Sequence, residues 1–155
     1  MDYSASSVAS PRGVILPAAI GGSVAGTLDI TSAFITYGWG IPKSIASGLL
    51  GAQAFHGGAG VWVLGVCLHF LIMFVIAAIY CLAARKWDFL KDHFVICGAF
   101  YGMGVFLVME LIVLPLSAVP FPVGPFTVAA LIQGLLVHMI LIGLPIAACN
   151  WKFSA

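Results

Sequence analysis

The chain has 155 residues, 63% hydrophobic and 7% charged, with a formal net charge of +1 and a mean hydropathy of +1.17. A soluble domain carries about 25% charged residues, so this chain could not cover its own surface with polar groups. With no basic patch to neutralise phosphates, nucleic acid is excluded as a partner, and an integral membrane protein is the class that remains.

Residues 1–13 read as a short polar tail. An acidic residue at position 2, a single arginine and no clean A-x-A site speak against a signal peptide, so the apolar run that follows is expected to be a retained helix. Four runs are long and apolar enough to cross a bilayer, at residues 14–37, 61–84, 94–116 and 126–149. The alternation expected of a β-barrel is absent. The expectation is therefore an all-α integral membrane protein, a single four-helix bundle over residues 14–155.

The connections differ in character. The first, GWGIPKSIASGLLGAQAFHGGAG, is semi-apolar, and Pro42 suits the first turn of a short interfacial helix over residues 44–55. The second, ARKWDFLKDHF, is short and charged. The third, PLSAVPFPVGPF, carries four prolines and no charge, and is expected to form a stiff cover over the helix ends. Arg12, Arg85, Lys86, Lys91 and Lys152 lie on one side of such a chain and only Lys43 on the other, which puts both termini in the cytoplasm. Cys67, Cys81, Cys97 and Cys149 all sit in apolar runs without metal spacing, and are expected as small buried hydrophobes.

Each span carries one ionisable residue: Asp29, His69, Glu110 and His138. Such groups are costly in a bilayer and normally face a protein interior. Counted from the outer end of each span, Asp29 and His69 lie about 12 Å deep, Glu110 about 9 Å and His138 about 18 Å. Asp29 shares its helix face with Gly22, Ala25, Gly26, Ser32, Ala33 and Thr36, a small and polar stripe suited to close packing. Glu110 is surrounded by Phe106, Leu107, Val113 and Leu114, a less persuasive setting. His56, in FHGGAG at the outer interface, is a solvated loop residue or the entrance to the cluster.

The second and fourth spans also look like copies. Gly65-Val-Cys-Leu-His69 parallels Gly134-Leu-Leu-Val-His138, and both run on to paired alanines, Ala77-Ala78 and Ala147-Ala148. A parallel two-helix internal repeat follows, with the second and fourth helices as diagonal partners across the core.

The pieces AGTLDITSAFITYGWGIP, LHFLIMFVIAAIYCLAA, LVMELIVLPLSAVPFP and GLLVHM, in that order, resemble the YagU-like family of bacterial inner-membrane proteins. His69 and His138 match histidines of that family; Glu110 stands where a relative carries histidine, and Asp29 is less shared. The resemblance implies a small, multi-pass protein of the bacterial inner membrane, loosely linked to acid tolerance and without an established biochemical activity.

Two readings of the four residues compete. Each histidine can serve as polar glue across a helix interface, worth about 0.6–2 kcal/mol. Alternatively the four form a functional cluster that binds or transfers a proton, a metal ion or a small solute. A transition metal would draw on His69, His138 and Glu110. A bis-histidine haem between the second and fourth spans is disfavoured by their height difference and by the lack of basic residues for propionates. No catalytic, phosphate-binding or nucleotide motif is present, so no enzyme is indicated. The alternative function is a non-catalytic accessory subunit, packing through its glycine-rich faces in a larger membrane complex or as a homo-oligomer surrounded by lipid.

Overall fold

The computed structural model describes residues 12–122, 124 and 127–154. The expected polar tail up to residue 11, and Phe126 as the start of the fourth span, lie outside the described residues. Among the described residues the chain is helical, with no strand. Four helices are long and apolar enough to cross a membrane: α1 (Arg12–Tyr37), α3 (Ala59–Ala84), α5 (Phe94–Leu116) and α6 (Val128–Phe153). The fourth runs four residues beyond its expected end at 149, because Asn150, Trp151 and Lys152 continue the helix and Trp151 stacks on Phe94 with ring centroids 5.0 Å apart.

Two short helices join them. α2 (Ile41–Leu50) starts with proline in its first turn and is followed by a 3-10 turn over Gly51–His56, so the expected interfacial helix begins and ends earlier than residues 44–55. α1 ends at Gly38, whose φ of +81° is a backbone conformation that glycine adopts without strain. α4 (Phe89–Asp92) is a single turn at the basic end, where Arg85, Lys86 and Lys91 lie. Phe34, Trp39 and Trp62 form an aromatic cluster at the opposite end, and the Trp62 indole donates to the Trp39 carbonyl at 2.9 Å. Such amphipathic rings suit the headgroup level of a bilayer.

α1 is the hub, packed on α3 along one side and on α6 along the other, while α5 packs on α6. Small residues make these approaches close. A methyl group on Gly22 or Gly26 would run into Phe74 or Phe70 of α3, and one on Gly21 would press on the Ile146 backbone of α6. Gly98 and Gly102 of α5 likewise lie against the backbone of α6 at Gly143 and His138. Association within lipid depends on this kind of contact, since burial of apolar surface gives little advantage there. Ala77 and Ala147, one from each of the alanine pairs, are both fully buried in a single core with Tyr80, Ile142 and Ile146. α3 and α6 therefore meet across the core near the basic end.

The cysteine expectation needs correcting. Cys81 and Cys97 are buried, but Cys67 is exposed and Cys149 half-buried. An apolar run in a spanning helix has a face that touches acyl chains as well as one that touches protein, and hydropathy does not separate them.

Candidate functional site

Two of the four spanning helices are not α-helical throughout. α5 widens into a π turn over Met109–Val113 and α6 does so over His138–Gly143. The cause lies just beyond each turn. Pro115 and Pro145 have no N–H, and their rings would collide with the carbonyl four residues back in a regular helix. Widening lets the residue before each proline bond five residues back: the Leu114 N–H donates to Met109 and the Leu144 N–H to Met139. Both turns share one pattern, Met109-x-Leu-Ile-x-Leu-Pro115 and Met139-x-Leu-Ile-x-Leu-Pro145. That pattern is legible in the sequence and likens the third span to the fourth.

The π turns carry Glu110 and His138, and both residues line one cavity of about 250 Å³. Asp29 faces it from α1, with Ser32 and Thr36 further out on the same helix. The walls are completed by Phe106 on α5 and by Gln133 and Gly134 on α6. From Asp29 the cavity reaches Tyr37, eight residues or about 12 Å further along the helix, where α1 ends away from the basic end. Gly134 is required here: a methyl group in its place would run into the buried Phe106 ring, which packs edge-on to His138 with centroids 5.2 Å apart.

The His138 ring is oriented by its own helix. Its Nδ1–H donates to the Gly134 carbonyl at 2.9 Å. A carbonyl can only accept, so in the neutral ring Nδ1 carries the proton and Nε2 keeps a lone pair. Asp29 and His138 reach the same cavity from different helices. Among the described residues neither Asp29 nor Glu110 forms an ion pair, the single pair being Lys91–Asp88 at 3.7 Å. The hydroxyl of Thr36 is donated back to the Ser32 carbonyl at 2.9 Å, so toward the cavity it is an acceptor. The result is a pocket rich in acceptors, with one nitrogen base and two carboxyl groups.

His69 is elsewhere. It is buried between α3 and α1, and its Nε2–H donates to the Gly26 carbonyl at 2.9 Å. It does not line the cavity. Gly65, one turn away, opens no space for a ligand, because the backbone of Pro42 on α2 fills that position. His56 ends the 3-10 turn, exposed and away from the cavity lining. Among the described residues no three histidine, cysteine or carboxylate groups come close enough to share one metal ion. His69 and His138, considered as central ligands for metal or haem, point to different surroundings.

No family model, curated protein or solved structure matches this chain. What it does rests on its own residues.

Gln133 is a further wall residue, beyond the one ionisable group per span. A glutamine inside an apolar run, five residues outward from His138, was the available signal. Glu110 was undervalued for a different reason. Its wheel neighbours Phe106, Leu107, Val113 and Leu114 are all apolar, yet Phe106, one turn before it, is buried and walls the same cavity, so apolar neighbours do not mean a lipid-facing position.

Proposed function

We propose that this protein is a small multi-pass protein of a bacterial inner membrane that binds and passes on a proton or a small polar solute through the Asp29–Glu110–His138 cavity. One observation carries the reading: three ionisable side chains on three different spanning helices line a single cavity. Groups of this kind are rare within spans and mark proton and ion paths where they converge. A cavity of about 250 Å³ has room for several waters or one small solute. The excess of arginine and lysine at the end that carries both termini supports a cytoplasmic placement of that end, so the cavity would open outward. The ordered likeness of four sequence pieces to the YagU-like proteins supports the same membrane.

The accessory-subunit reading relied on glycine-rich faces that a partner could use. Gly21, Gly22, Gly26, Gly98, Gly102 and Gly143 are turned against neighbouring helices of this same chain, so a partner docking through glycine contacts would use Gly13, Gly60 or Gly104, where an added Cβ meets nothing within 4 Å.

Proton entry into liposomes holding the purified protein and a trapped pH dye tests the proposal. Acid-driven entry is expected for wild type and for His69→Ala, and is expected to fall to the empty-liposome rate in Asp29→Asn and Glu110→Gln. Equal entry in wild type and Asp29→Asn counts against it.

A further inference from the structure

We propose that the seam between α3 and α5 is a binding site for one anionic phospholipid, its acyl chain lying in the seam and its headgroup at Arg85 and Lys86. These two helices follow one another in the chain, yet they do not close on each other along their length. Three clefts run in series between them. At the basic end a cleft of about 530 Å³ is walled by Trp87, Phe89, Leu90 and Phe100. A groove of about 650 Å³ follows, walled by Ile72, Val75 and Ile79 from α3 and by Phe100, Gly104 and Val108 from α5. The third, about 250 Å³, lies beneath α2 against Ile45, Leu68 and Val113.

The clefts adjoin one another. Phe100 and Tyr101 are common to the first two, and Ile72, Met109 and Val113 to the second and third. Tyr101 spans the seam near the basic end, its hydroxyl donating to the Ile76 carbonyl while its ring packs on Tyr80 with centroids 5.0 Å apart. From Tyr80 to Leu68 the slot follows twelve residues of α3, or about 18 Å, close to one leaflet of a hydrocarbon core about 30 Å thick. That length suits an acyl chain. A transmembrane helix is about 10–12 Å across and seats against small residues, whereas the walls of the central groove are large side chains apart from Gly104.

Charge next to the first cleft selects the headgroup, since Arg85 and Lys86 lie in the chain between Ala83 and Trp87, which line it. Arg85 and Lys86 directly follow the last residue of α3, both are exposed, and among the described residues neither is in an ion pair. Lys91 is engaged by Asp88. Trp87 and Phe89, which wall the first cleft, belong at headgroup level. Cationic side chains beside an apolar cleft between spans attract anionic lipids.

Gly104 supplies the test, because it lines the central groove and an added Cβ there meets nothing within 4 Å, which leaves a larger side chain room to enter the groove. Native mass spectrometry of the detergent-purified protein, incubated with phosphatidylglycerol or with phosphatidylcholine of the same chains, reads the occupancy directly. Wild type is expected to retain one phosphatidylglycerol per chain in preference to phosphatidylcholine by about tenfold or more. Gly104→Trp is expected to lose it, and the Arg85→Gln/Lys86→Gln pair to lose the preference. Val24→Trp, on an exposed face of α1, is expected to retain it. Equal retention of the two lipids by wild type overturns the proposal, as does unchanged phosphatidylglycerol retention by Gly104→Trp. A dimer that Gly104→Trp dissolves overturns it too, assigning the seam to a second copy. Should Gly104→Trp lose its helical circular dichroism, Gly104→Leu takes its place, and the wild-type lipid comparison decides independently.

Discussion

The ring of His138 is held by Gly134, whose carbonyl accepts its Nδ1–H at 2.9 Å one turn back along the same helix. His69 is held the other way, by its Nε2–H on the carbonyl of Gly26 in a different helix. The two rings are thus expected in opposite neutral tautomers, Nδ1–H for His138 and Nε2–H for His69. Nitrogen chemical shifts of histidine-labelled protein in lipid discriminate them. The same tautomer at both positions contradicts this assignment.

That difference separates glue from site. His69→Phe removes one hydrogen bond between α1 and α3 and is expected to cost about 0.6–1.7 kcal/mol of stability, the range of interhelical bonds in membranes. Proton entry through the cavity should survive it. If His69→Phe abolishes entry while the protein stays folded, His69 belongs to the path.

Asp29→Asn and Glu110→Gln keep side-chain size and remove charge. An ionised group at mid-span costs about 2.5–3.5 kcal/mol on insertion scales. Both variants are therefore expected to unfold at an equal or higher temperature than wild type while losing proton entry. Lowered stability in both would mark the carboxyl groups as structural.

The crossing of α5 over the π turn of α6 rests on Gly102, where an added methyl would meet the His138 backbone carbonyl. Gly102→Ala is expected to destabilise by about 1–3 kcal/mol through overpacking. Gly104→Ala, two residues on and open to the seam, should be neutral or stabilise by up to about 1 kcal/mol through helix propensity. Thermal unfolding in detergent compares the two. Equal effects would sink the packing account.

Gly65 makes a similar case at the opposite end, where the Pro42 backbone occupies the place of its side chain. Gly65→Ala should lift α2 off α3. Faster hydrogen exchange over residues 41–50, with little change in α6, is the expected signature.

Four helices long and apolar enough to span, a short helix with Pro42 in its first turn, and one ionisable residue in each long helix are legible from the residues alone. Hydropathy and length suffice for that, because a bilayer admits few alternatives to a long apolar helix. Which residues meet was not legible in the same way. His69 and Asp29 lie at the same expected depth, yet α1 turns Gly26 to one neighbour and Asp29 toward another, and only packing decides between adjacent faces. Glu110 meets the cavity one turn after Phe106, which walls it too, and an apolar wheel does not tell such a packed phenylalanine from one that faces lipid. The open seam between α3 and α5 was equally out of reach, because a helix facing lipid and a helix facing protein are written in the same apolar residues.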